Sequence, residues 1–150
     1  MSDALPRRKR LGDVLIDKGI IDEDRLRTAL ADQRESGALL PEVLVRLGYV
    51  SEDALAAVLT EWLELPFMDI GGYKLRVSNE VFGILPQNTI RQYRIVPLAI
   101  ADEALIVVTA APLPPDVVKE LETMAGCEIK LHTGRVSDVK ELLGANFGLE

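Results

Sequence analysis

Few residues in this sequence have the type and spacing that chemistry demands. The chain holds one cysteine, Cys127, and one histidine, His132. A nucleophilic pair or a His/Cys metal site needs a third supporting group or further ligands. Cys127 is therefore expected to pack as a small apolar side chain, and His132 to be a surface or half-buried strand residue. Carboxylates come in two pairs, Glu23-Asp24 and Glu52-Asp53, each where a helix is expected to begin. Negative charge in a first helical turn complements the helix dipole, so both pairs are assigned a dipole and solubility role. The Gly-x-x-x-x-Gly-Lys-Ser/Thr and Gly-x-Gly-x-x-Gly phosphate cradles, the Gly-x-Ser-x-Gly elbow and the His-Glu-x-x-His helix are all missing from the sequence. The chain reads as non-enzymatic, with no catalytic residue and no metal ligand set.

An internal repeat is the strongest organising signal. Residues 10–33, RLGDVLIDKGIIDEDRLRTALADQ, align with residues 39–62, LLPEVLVRLGYVSEDALAAVLTEW, at an offset of 29. Eight positions are identical, among them Leu11/Leu40, Leu15/Leu44, Gly19/Gly48, Leu26/Leu55 and Leu30/Leu59. Each copy predicts a helical hairpin. A short first helix ends at Gly19 or Gly48, the residue type suited to a left-handed cap. Asp22 or Ser51 then offers an N-cap oxygen. The second helix carries Leu26, Ala29, Leu30 and Gln33, or Leu55, Val58, Leu59 and Trp62, at the spacing of one helical face. Pro41 falls at a helix start, which tolerates proline.

The texture changes after Leu65-Pro66. Asp69-Ile70-Gly71-Gly72 reads as a loop. Ser78 is placed to cap a helix over 79–85, with further turns near 88–93. Strands are expected over 95–100 and 105–109, joined by the short link Ala101–Ala104. A helix over 115–125 should close at Gly126, before a strand over 127–133 and a last helix over 136–144. The fold class expected is α+β: a helical N-terminal subdomain built from the duplicated hairpin, packed on a small α+β C-terminal subdomain. The division expected is a flexible basic N-terminus over 1–9, the helical subdomain over 10–65 and the α+β subdomain over 66–150.

Composition agrees with a folded chain. Of 150 residues, 48% are hydrophobic and 27% charged, an ordinary globular balance. One cysteine excludes an intrachain disulfide framework and fits a reducing compartment. No apolar run approaches a membrane span, and no apolar segment follows the basic start to make a signal peptide. The net charge is −7, yet Arg7, Arg8, Lys9 and Arg10 stand in a row, leaving the remainder strongly acidic. A nucleic-acid binder spreads basic residues over a face; this chain does not. The basic run reads as a solvated terminus or as an attractor for a nucleotide or an acidic partner surface.

The first copy, Arg10-Leu11-Gly12-x-x-Leu15-x-x-x-Gly19-x6-Leu26-x3-Leu30-x2-Gln33, resembles the nucleotide-binding motif of the N-terminal domain of type II secretion and type IV pilus ATPases. That is the MshEN or GspE N-terminal family, some members of which bind cyclic di-GMP. The family pattern is two such motifs with a five-residue spacer, here Arg34–Ala38. The likeness runs on through LGYVSEDALAAVLTEWLELPF and LPQNTIRQYRIVPLAI, over residues 10–147 in all.

The resemblance implies a regulatory and docking module of a motor ATPase. It would couple the motor to the cytoplasmic domain of an inner-membrane platform protein, with the ATPase domain in the same or a partner chain. The chain is then either a piece of such a motor or a free-standing version. It is expected to be cytoplasmic, peripheral to the inner membrane only through that partner, without nucleic acid and without direct membrane insertion. No cofactor is required; the ligand implied is cyclic di-GMP. It would be held by Arg10, Leu11, Gly12, Leu15, Gly19, Leu26, Leu30 and Gln33 of the first copy and by Leu40, Leu44, Gly48, Leu55 and Leu59 of the second. Arg10 would fork onto a guanine edge or a phosphate, Gly12 would allow close approach, and the leucines would bed the purine faces. The second copy has Leu39, Pro41 and Trp62 where the first has Arg10, Gly12 and Gln33. Docking without tight nucleotide binding and reception of cyclic di-GMP, mainly through the first copy, both remain open.

Overall fold

The computed structural model describes residues 10–71 and 76–148; the basic residues Arg7–Lys9 and the terminus expected over 1–9 lie outside them. The described residues form eight helices and one three-stranded sheet, in the α+β class expected. They group into two compact units that part between Ser51 and Glu52.

The first unit holds α1 (Leu11–Asp17), α2 (Glu23–Ser36) and α3 (Leu40–Arg46). Both short helices stop in the same way. Gly19 and Gly48 take left-handed φ values of 74° and 76°. The Gly19 and Ile20 N–H groups donate to the Ile16 and Leu15 carbonyls, both at 2.9 Å, and those of Gly48 and Tyr49 donate to Val45 and Leu44, both at 3.0 Å. That double closure satisfies carbonyls which a helix end otherwise leaves unpaired. The Asp22 carboxylate then accepts the Arg25 N–H at 2.8 Å and starts α2. Asp32 of α2 pairs with Arg46 of α3, and the Arg25 guanidinium lies 5.3 Å from the Tyr49 ring centre.

The second unit begins with α4 (Glu52–Leu63) and continues through α5 (Asn79–Phe82), α6 (Gln87–Tyr93), β1 (Ile95–Ala101), β2 (Ala104–Thr109), α7 (Pro115–Ala125), β3 (Glu128–Thr133) and α8 (Val136–Phe147). The helices over 10–33 and 39–62 thus start at equivalent positions in both copies. Strands β1 and β2 pair antiparallel through a two-residue turn, Asp102-Glu103, with φ values of 52° and 63°. Those positive values match the right-handed twist of the flanking strands. Strand β3 pairs parallel to β2, which requires a crossover, and α7 supplies it. Central β2 is buried along most of its length, with Leu105, Val107 and Val108 fully enclosed. Pro97 sits in edge strand β1 beside a register shift, where a missing N–H is tolerated. Beyond β3, the chain at Phe67 forms a further parallel bridge to Thr133, whose N–H donates to the Pro66 carbonyl at 2.8 Å.

Two helix ends differ from expectation. Helix α5 stops at Phe82, because Gly83 follows, instead of reaching residue 85. Helix α8 runs through Gly144 to Phe147, which is buried, and takes its left-handed cap at Gly148.

Candidate functional site

The first copy of the motif presents one open face. Arg10 is the N-cap of α1, in extended conformation, and its side chain is exposed. Leu11, Gly12 and Leu15 follow into the interior of the fold, Leu11 at 5% exposure and Leu15 fully buried. Gly12 has a packing reason of its own: a Cβ there would stand 2.7 Å from Leu26 Cδ1 and 2.9 Å from Cδ2. The glycine lets the start of α1 lie against α2. Gly19 is exposed with no atom near its missing Cβ, so it stands as a helix stop.

Helix α2 is poorly buried for its length. Across its 14 residues only Ala29 is fully enclosed. Leu26, Leu30 and Gln33 are each half-buried, and their i, i+4, i+7 spacing puts them on one face. Helix α2 thus carries an apolar stripe that ends in an amide and is left half open, in the same unit as the exposed Arg10.

The second copy repeats the backbone without the open face. Leu40 is half-buried and Leu44 fully buried; Gly48 is again an exposed helix stop. Leu55 and Leu59 are each 1% exposed, so their leucine side chains belong to the core. Leu39 and Trp62 are half-buried, and Pro41 is buried. Proline has no N–H to offer an anion.

The acidic pairs differ between the copies in a way their spacing does not reveal. Asp24 pairs within its own helix, with Arg27 at 3.0 Å. Glu52 and Asp53 reach another element: a Glu52 carboxylate oxygen accepts the Ser137 N–H of α8 at 3.0 Å, and Asp53 pairs with Arg135, the N-cap of α8. Arg135 also binds Asp69 at 2.8 Å and Asp138 at 3.4 Å, and lies 5.2 Å from the Phe67 ring centre. For this pair the dipole role is therefore incomplete, because the carboxylates also fasten the first turn of α4 to that of α8. Hydrogen bonding from Arg135 holds the Asp69 carboxyl below its ordinary value. Burial pushes Asp138 the other way. Sequence reasoning did not single out Arg135, since its partners lie up to 82 positions away.

Cys127 is half-buried beside an open hollow lined by Lys119, Glu122 and Thr123, where Glu122 already accepts the Ile129 N–H. His132 is half-buried on β3, its Nδ1 without a hydrogen-bond partner. No group of metal-binding side chains and no helix able to cross a membrane occurs among the described residues.

Comparison with known proteins places these features in context. The MshEN domain family matches residues 63–150. The chain is 30% identical over 124 residues to the type IV pilus assembly ATPase PilB of Thermus thermophilus, covering 81% of this chain and 14% of that protein. It is 23% identical over 134 residues to PilB of Myxococcus xanthus, covering 89% and 23%. The chain thus spans less than a quarter of the length of these relatives. Among solved structures, the N-terminal domain of XpsE is similar with a TM-score of 0.69 and 25% identity, covering 91% of this chain and 93% of that one. MshE with cdg (cyclic di-GMP) is similar with a TM-score of 0.61 and 26% identity, covering 89% and 96%.

Proposed function

This chain belongs to the MshEN domain family, and from that premise we propose that it is a non-catalytic regulatory and docking module of a type IV pilus or type II secretion motor. In this reading it works in the cytoplasm, coupling an ATPase domain to the cytoplasmic part of an inner-membrane platform protein. Cyclic di-GMP, received mainly on the first motif, regulates that coupling. The observation that carries the ligand is the half-open face of α2, on which Leu26, Leu30 and Gln33 are half-buried, together with the exposed Arg10 at the start of α1. The likeness to MshE with cdg supports the same ligand.

The leucines bed a purine ring, and Arg10 supplies charge-assisted donors to guanine or phosphate. Each such contact is worth roughly 1.5–3 kcal/mol. Arg10→Ala should therefore weaken binding at least tenfold, about 1.4 kcal/mol. Calorimetric titration of cyclic di-GMP into the purified chain and this variant is the test. Binding that is tight and indifferent to Arg10→Ala would place the site elsewhere.

Docking without tight nucleotide binding is the second reading, favoured by Leu39, Pro41 and Trp62 in the second copy. It is the outcome if no heat of binding is measured while the chain still co-purifies with the cytoplasmic domain of the platform protein.

A further inference from the structure

The two copies share a backbone and differ in the surface they offer. Binding one base of a nucleotide needs an apolar bed and donors that match the base edge. The first copy has both, in half-buried Leu26 and Leu30 and in exposed Arg10. At the equivalent positions of the second copy the bed is sealed, with Leu55 and Leu59 each 1% exposed. The donor is gone as well, because Leu39 stands in place of Arg10. Trp62 stands where the first copy has Gln33, so the side-chain amide is missing from the second copy too.

We propose that the domain reads only one of the two bases of a cyclic dinucleotide, a guanine held at Arg10, Leu26, Leu30 and Gln33, and leaves the other base unread. The inference rests on the nucleotide reading above and narrows its ligand class. A guanidinium presents paired N–H donors that fit the O6 and N7 acceptors of guanine. Adenine carries an amino donor where guanine has O6, so Arg10 opposes it. Gln33 stands about 10 Å along α2 from Leu26 and reaches a different part of the same nucleotide. The class bound is therefore any cyclic dinucleotide with at least one guanylate, mixed cyclic GMP–AMP included.

The test is calorimetric titration of the chain with cyclic di-GMP, cyclic GMP–AMP and cyclic di-AMP. The mixed ligand should bind about twofold more weakly than cyclic di-GMP, the statistical effect of one readable base in place of two, and cyclic di-AMP at least tenfold more weakly. Arg10→Ala, at an exposed position, should remove the preference for cyclic di-GMP over cyclic di-AMP, with thermal unfolding confirming the fold. A mixed ligand more than about fivefold weaker than cyclic di-GMP would overturn the inference while leaving the nucleotide reading intact, since both bases would then be read. Equal binding of all three, or a preference that survives Arg10→Ala, would also overturn it. Failure of all three to bind would overturn the nucleotide reading itself, and the inference with it.

Discussion

Gly12 and Leu26 lie so close that a Cβ on the glycine would stand 2.7 Å from Leu26 Cδ1. The atom in the way is the far end of a flexible, half-buried side chain. Gly12→Ala should therefore leave stability within about 1 kcal/mol, the helix propensity gained offsetting the displaced leucine. It should nevertheless move Leu26 out of the face that beds the ligand. Cyclic di-GMP affinity is expected to fall about tenfold while the thermal midpoint hardly changes. Measuring both on one sample separates the two effects.

The two copies should also respond differently to the same truncation. Leu55→Ala removes a side chain that is 1% exposed and should cost about 2–5 kcal/mol. Leu26→Ala, at the matching half-buried position, should cost less than about 1.5 kcal/mol. Denaturant unfolding of the two variants checks the difference; equal losses would show that the leucines of α2 are as fully packed as those of α4.

Acid should act on the second unit with two signs. Arg135 lowers the Asp69 carboxyl below 3.8 by hydrogen bonding, so the stability it contributes is present above that value and is lost as pH falls through the folded pKa. Arg46 makes Asp32 behave likewise in the first unit. Asp138 is raised by burial, so its protonation as pH falls gives stability back. Arg135→Met is expected to lower stability at neutral pH and to remove the Asp69 part of the acid loss. Asp138→Asn should remove the opposing gain. Urea midpoints from about pH 7 to pH 2 are the readout.

The hairpin turn is open to improvement. Glu103 holds a φ of 63° without the freedom of glycine, and this turn type favours glycine there. Glu103→Gly should stabilise the chain by about 0.5–1 kcal/mol, measurable by chemical denaturation. A loss instead would mean that the Glu103 side chain contributes more than its backbone strain costs.

Much of the architecture was legible because its signals are local. Gly19, Gly48, Asp22 and Gly126 act within a few residues of themselves, and the helix ends they mark lie where the pattern puts them. Gly144 misled because an internal glycine looks like a stop, whereas burial of Phe147 carries α8 onward. The parallel pairing of β3 and the Arg135 clasp were illegible, since their partners are distant in sequence. Of the candidate site, the residue types are legible in the sequence and their exposure is not. Leu26 and Leu55 occupy the same position in the same pattern, and no periodicity tells that one is half open and the other sealed.

The mixed sheet has a consequence for the order in which the chain assembles. Strands β1 and β2 meet through a two-residue turn, an event of microseconds. Strand β3 joins only after α7 has carried the chain across, and the Phe67 segment must then find Thr133, whose hydroxyl meets the Pro66 carbonyl 67 positions away. Local pairings form before distant ones repay their loop closure. The hairpin is thus the template, and the Phe67 bridge is the last seam to close and the first expected to open.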